Sequence, residues 1–298
     1  MKNNIGLQTA YWGGTNPKFN TYEIVDLTKK ANMDTIELKA PDFVPLTPEE
    51  RQKLRKYIED AGLQITVNGT GLRVHKDVSS SDPEIRKAGI AQLCMMIDLC
   101  EEMGVKYFSG IPYGIWNAKP EGDDIQAVKK ERTANAIESL KVVADYAKKK
   151  DILLCLEIVN RFEQYTINTI EEGVAMCDAV GNEYCKLLID TFHMCIEEDY
   201  IPDAIRRCYE AGHLGYIHLG ESNRKIPTGE KKTTIDWEAI AETINDIGFE
   251  GPMVMEPFVL STSPSARAVS LWRGLKDEKD IDTLVNDAAK GVKYLKSL

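Results

Sequence analysis

The stretch DILLCLEIVNRFEQYTINTIEEGVAMCDAVGNEYCKLLID, residues 151–190, decides the fold of this chain. It opens on a short apolar run, Ile152 to Leu156, that gives out at Glu157. A polar loop follows, then apolar residues at helical spacing over about 169–180, then Gly181 and a second apolar run ending at Asp190. Short apolar runs bounded by turn or helix signals read as buried strands. A Gly just past a helical run reads as a left-handed C-cap. Strand, helix and strand in that order make two parallel strands joined by a crossover helix.

Working outward, the same unit recurs along the whole chain. Strand candidates begin near Ile5, Asp34, Gln64, Val105, Ile152, Lys186, Gly215 and Pro252, and helical patterns fill about 20–32, 48–61, 83–103, 127–150, 169–180, 199–212, 236–248 and 279–297. Thr47-Pro48-Glu49-Glu50 and Ser81-Asp82-Pro83-Glu84 each set an N-cap before a Pro at the first helical position. Gly62, Gly104, Gly181, Gly212 and Gly248 each follow a helical run. Eight β-then-α units favour closure into a barrel over an open doubly wound sheet. The first strand is followed by Gln8-Thr9-Ala10-Tyr11-Trp12-Gly13-Gly14, which lacks a Gly-rich phosphate fingerprint. No linker or low-complexity tract interrupts the pattern. The expectation is an α/β protein, a single (β/α)8 TIM-barrel domain over residues 1–298.

Composition narrows the function. The net charge is -10, and the Lys and Arg residues are spread along helices, so no basic stripe offers itself to a nucleic acid. The densest basic stretch, Lys148 to Lys150, reads as a helix C-terminus. Seven scattered cysteines without a C-x-x-C pair suit reduced thiols. No signal-like segment opens the chain and no apolar window reaches membrane-spanning length, so a cytoplasmic enzyme without membrane contact is expected.

In such a barrel, chemistry sits where strands end. Glu157, Asp190, His218 and Glu256 stand at the ends of the fifth to eighth apolar runs. A single rim carboxylate is commonly salt-bridged to a helix. Four chargeable groups in register on consecutive strands instead suit one divalent cation, which carboxylates and an imidazole bind well. Glu163, His193 and Arg224 follow a few residues behind three of them, placed to hold a ligand, although Asn223-Arg224-Lys225 also reads as plain loop charge. Tyr11, Trp12, Tyr113, Trp116 and Phe258 follow strand ends too, where aromatics line sugar pockets or seal barrels. His75 and His213 read as solvated and helix-end residues, and Cys94, Met95, Met96 and Cys100 as helix packing. Glu37 either reaches the barrel mouth or anchors Lys39.

The strings CLEIVNRFE (155–163), IDTFHMCIEED (189–199), IHLGESNRKIP (217–227) and VMEPFV (254–259) resemble the D-tagatose 3-epimerase and D-psicose (allulose) 3-epimerase family, ketose 3-epimerases of xylose isomerase-like barrels. The resemblance extends through LWRGL (271–275), with Tyr11-Trp12, Pro83-Glu84-Ile85-Arg86 and Trp116 carrying it in the first half. It implies that Glu157, Asp190, His218 and Glu256 bind a divalent ion, usually manganese, otherwise magnesium or cobalt. It implies that Glu163, His193 and Arg224, with Trp116, hold the sugar, and that Glu157 and Glu256 are the catalytic acid/base pair. It also implies homodimers or homotetramers, for which 261–280 offers a contact surface. One departure stands out. The family opens on Gly-Ile-Tyr-Tyr-x-Tyr-Trp, whereas Gln8 or Thr9 here replaces the tyrosine that meets the sugar, and the loop Gly13-Gly14-Thr15-Asn16-Pro17 is neither acidic nor aromatic. Phosphorylated, shortened or glycosylated ketoses are therefore open as substrates.

The chemistry follows from the residues. A ketose C3 hydrogen lies beside the C2 carbonyl, so its removal gives an enediolate that a cation at O2 and O3 stabilises. Epimerisation needs a proton taken from one face and returned to the other, a task for two opposed carboxylates. The expected activity is a metal-dependent ketose 3-epimerase acting on D-tagatose, D-fructose/D-psicose or a relative. A sugar isomerase or keto-sugar lyase on the same barrel shares these residues, and a non-catalytic sugar-binding protein is the reading of another class.

Overall fold

Eight parallel strands close into one barrel in chain order, each bonded to its sequence neighbours and the first to the last. This computed structural model describes residues 1–15, 18–277 and 279–298, so Asn16 and Pro17 of the first loop lie outside the described residues. The elements are β1 (Ile5–Gln8), α1 (Thr21–Lys30), β2 (Thr35–Lys39), α2 (Ala40–Phe43), α3 (Pro48–Asp60), β3 (Gln64–Asn68), α4 (Pro83–Glu102), β4 (Tyr107–Gly110), α5 (Ile125–Lys149), β5 (Leu153–Glu157), α6 (Ile170–Val180), β6 (Cys185–Asp190), α7 (Thr191–Glu197), α8 (Ile201–Glu210), β7 (Leu214–Leu219), α9 (Trp237–Ile247), β8 (Met253–Met255) and α10 (Ile281–Ser297).

Every strand begins within two residues of its apolar run. The helix signals work as local chemistry demands. Thr47 and Glu50 form a reciprocal capping box ahead of α3, and the Asp82 side chain accepts from the Glu84 N–H ahead of α4. The five C-terminal glycines adopt φ between +66° and +78°, a left-handed conformation that a Cβ would disfavour. Two short helices, α2 and α7, were not legible in the sequence. Four and seven residues are too few to show a helical period.

Side chains two apart on a strand share a face, and this sets up the site. Cys155, Leu188, Tyr216 and Val254 pack together inside the barrel from β5 to β8. Two residues further along, the same inward face presents Glu157, Asp190, His218 and Glu256. The in-register pairs Glu157↔Leu188 and Asp190↔His218 keep those ends level. Beneath β1 the barrel is tight: a Cβ on Gly6 would sit 2.8 Å from Thr35 Cβ and from Val254 Cγ2. All seven cysteines are free thiols, and among the described residues no helix is long and apolar enough to cross a membrane.

Candidate active site

Glu157 and Asp190 are the last residues of β5 and β6, His218 is next to last in β7, and Glu256 follows β8 directly. All four are buried, at 6%, 1%, 0% and 6% exposure. One ligand atom from each lies within 4.8 Å of the others. His218 Nδ1 is 3.7 Å from Glu157 Oε1 and 3.6 Å from Glu256 Oε2, with no hydrogen-bond partner of its own. Three buried carboxylates and a lone imidazole nitrogen aimed at one point are costly without a cation. With one, they are an oxygen-rich donor set with nitrogen, suited to a hard or borderline divalent ion. The residues fit a metal.

A polar layer beneath fixes these ligands. His218 Nε2 lies 3.1 Å from Glu37 Oε1, an arrangement in which Nε2–H donates to Glu37 and leaves the Nδ1 lone pair for the ion. Tyr216 donates to Glu37 Oε2 at 2.5 Å, and its hydroxyl contacts Thr66 Oγ1 at 2.8 Å. Gln8 Nε2 donates to Glu37 Oε1 at 2.7 Å and to Glu256 Oε1 at 2.6 Å. Asn68 Nδ2 donates to Glu157 Oε2 at 3.1 Å, and Lys39 Nζ donates to Asn68 Oδ1 at 3.1 Å.

This layer corrects two expectations. Glu37 orients the imidazole, and Lys39 pairs with Asn68 instead. Gln8 does not stand where a tyrosine would meet the sugar; it is wholly buried under the cage, bridging a ligand to Glu37. Thr9 is buried too, donating to Asp42 Oδ2. The inward alternation that carries the ligands on β5 to β8 also carries Gln8, Glu37 and Asn68 on β1 to β3. Polar residues closing those strands were the available signal.

Above the cage lies a cavity of about 230 Å³ lined by Glu157, Glu163, His193, Arg224 and Glu256 together with Trp116 and Phe258. Larger hollows, such as the 630 Å³ one bounded by Lys290, Lys293 and Lys296, lie elsewhere and contain none of the four clustered ligands. Arg224 is buried at 6% exposure and lines this cavity, so it is not plain loop charge. It donates to Glu163 Oε1 at 2.7 Å and stacks on the Phe192 ring at 3.6 Å. Its Nε and Nη1 make no hydrogen bond, with Nη1 3.5 Å from Glu256 Oε2 and 3.7 Å from Asp190 Oδ2. Its backbone is left-handed at φ +63°, strain of the kind that site residues carry. Trp116 donates to the other Glu163 oxygen at 2.8 Å.

His193 Nδ1 accepts from the Asn160 backbone N–H at 3.1 Å, which puts the proton on Nε2. That nitrogen lies 3.9 Å from both Glu157 Oε1 and Asp190 Oδ2. The other candidates divide. Tyr11, Trp12 and Tyr113 are buried and seal the barrel, with Tyr113 donating to the Glu157 carbonyl at 2.7 Å. His75 is exposed, and His213 pairs with Asp178 at 2.8 Å.

Electrostatics match the donor set. Burial, partly offset by Arg224 and His218, raises Asp190 to about 7. Burial and then Arg224 push His193 well below the usual histidine value, so it is a neutral donor. Burial alone would lower His218, but Glu37 and Glu256 outweigh it and raise it far above the usual range. Burial alone would raise Glu256, but His218, Lys39 and Arg224 hold it well below the carboxylate range. The imidazole proton thus supplies the positive charge that the three acids need when no ion is bound.

The model of the xylose isomerase-like TIM barrel family matches residues 25–279. A D-psicose 3-epimerase of Agrobacterium fabrum is 33% identical over 97% of this chain and 96% of its own. An L-ribulose 3-epimerase of Mesorhizobium japonicum is 30% identical over 91% of this chain and 87% of its own. The crystal structure of D-psicose 3-epimerase with D-tagatose from Clostridium cellulolyticum superposes with a TM-score of 0.90 at 30% identity, covering 99% of this chain and 98% of the other. With its eight-stranded barrel and its cage of three acids and one histidine, the chain belongs to the ketose 3-epimerase family of the xylose isomerase-like TIM barrels.

Proposed function

We propose that this protein is a divalent-metal-dependent ketose 3-epimerase in which Glu157 and Glu256 carry the C3 proton. The observation behind this is that both carboxylates belong to the metal cage and also line the cavity, from strands three apart around the barrel. Glu157, Asp190, His218 and Glu256 would hold the ion, which acts when bound as a Lewis acid toward the substrate oxygens. Manganese is the ion assigned here, with magnesium and cobalt served by the same donors.

The side chains divide the remaining work. Glu163, fixed by Trp116 and Arg224, accepts from sugar hydroxyls. His193 donates from Nε2, and the unpaired Nε and Nη1 of Arg224 donate to oxygen that gains negative charge. One carboxylate removes the C3 hydrogen as a proton, and the C–H electron pair moves into the C2 carbonyl to give an enediolate. The other, as a carboxylic acid, returns a proton to the opposite face. Exchange with solvent resets the pair, so solvent hydrogen enters C3.

The substrate has the ketose skeleton of D-psicose, D-fructose or D-tagatose, or of a close relative. The named substrates and products of the similar epimerases support that reading. We also take the chain as one domain over residues 1–298, cytoplasmic, and a homodimer or homotetramer. The test is product analysis by NMR in heavy water with manganese present. 3-Epimerisation puts deuterium at C3. Label at C1 or C2 would instead mark an isomerase, a released leaving group a lyase, and no label from any ketose a binding protein.

A further inference from the structure

The four groups that grip the reacting end, Trp116, Glu163, His193 and Arg224, come from the segments after β4 to β7, His193 on α7 and the others on loops, on one side of the barrel mouth. The cavity continues across to the loops after β2 and β3. The connecting wall includes Ala40, Pro41, Gly69, Gly71 and Gly110, which offer little side chain, beside Thr70, Leu72 and Ile111. Two cations from that side line it as well, Lys39 at the end of β2 and the exposed Arg73 in the loop after β3. Neither forms an ion pair among the described residues. Among the described residues Lys39 Nζ is bonded only to the Asn68 amide oxygen, and Arg73 Nη1 only to the Leu72 carbonyl. An ammonium retains further donors after one bond, and a guanidinium has five.

We infer that the ketose accepted here carries an anionic group, a phosphate or a carboxylate, at the end remote from C2 and C3, and that Lys39 and Arg73 bind it. The inference rests on the epimerase reading and extends it to substrate class. A neutral sugar gives Arg73 no charged partner and leaves Lys39 only the distant charge of Glu256, whereas a terminal anion gains two charge-assisted hydrogen bonds. Lys39 is also the group that holds Asn68 against Glu157, so a purely structural role must be distinguishable.

The experiment measures C3 deuterium incorporation with manganese for D-fructose, for D-fructose 6-phosphate and for D-fructose bearing a carboxylate at C6. The wild-type protein is compared with Lys39→Met and Arg73→Gln. The wild type is expected to favour at least one anionic ketose over the neutral one in kcat/KM by about ten- to a hundredfold, the range for a charged hydrogen bond. Each substitution should cut that ratio by about tenfold or more. Which of the two ketoses shows the preference tells phosphate from carboxylate. A wild-type ratio near one for both anions overturns the inference and leaves the epimerase standing. So does a ratio that survives both substitutions while all rates fall together, as loss of Asn68 support would produce. Absence of C3 label from every ketose overturns the epimerase reading and this inference with it.

Discussion

Glu157 and Glu256 each serve the account twice, as ligands and as proton carriers, so they are the residues to change first. Glu157→Gln and Glu256→Gln should each lower C3 exchange by about 10²- to 10⁴-fold, the usual worth of a general acid or base, with the far-UV circular dichroism unchanged. Near-wild-type exchange in either variant contradicts the assignment. Of the four ligands Glu37 touches His218, from behind through Nε2. Glu37→Gln should therefore weaken manganese binding by about 10- to 100-fold in a calorimetric titration, as loss of an outer partner does elsewhere. Unchanged affinity would reduce Glu37 to barrel packing. The same cage predicts a pH dependence. His218 is raised far above its usual value and Asp190 to about 7, so protons and the ion compete for them. Apparent manganese affinity should rise with pH, by up to about tenfold per unit for each proton released, and flatten once the sites are empty of protons. An affinity flat or falling from about pH 6 to about pH 8 would contradict this reading of the cage. Legibility at this scale followed position. Residues closing β5 to β8 were readable because acids and an imidazole at strand ends have little structural reason to be there. Gln8 was misread because its neighbours, Glu37 and Glu256, are distant in sequence and meet it only when the barrel closes.

At the scale of the element, the crossover helices were legible because caps and C-terminal glycines are local chemistry. Their bounds match the pattern to within a few residues. The capping box of α3 gives a clean test, since Thr47 accepts from the Glu50 N–H at 3.2 Å and donates its own N–H to Glu50 at 2.8 Å. Thr47→Ala should cost about 1 kcal/mol in urea denaturation. C3 exchange should persist, because α3 lies in the outer ring and lines no part of the cavity. A loss of exchange without loss of stability would mean that α3 positions the site. The short α7 was not readable, yet it matters more to function. Its start follows Asp190, which caps the Phe192 N–H at 2.7 Å, and it sets Phe192 under the Arg224 guanidinium. A helix too short for periodicity carried two of the interactions that build the pocket.

At the scale of the whole molecule, the order of elements did most of the work. Eight repeats of one unit imply closure, and closure brings the ends of β5 to β8 to one rim. What the sequence could not show is the ring of hydrogen bonds under that rim, because it joins β1, β2, β7 and β8 across the barrel. The measurement that tests the account most directly is the number of manganese ions bound per chain at saturation, for the wild type and for Asp190→Asn and His218→Gln. One ion per wild-type chain, released by chelator, is expected, with binding weakened severely in both variants. No bound ion, or an ion held equally well without Asp190 or His218, would contradict it.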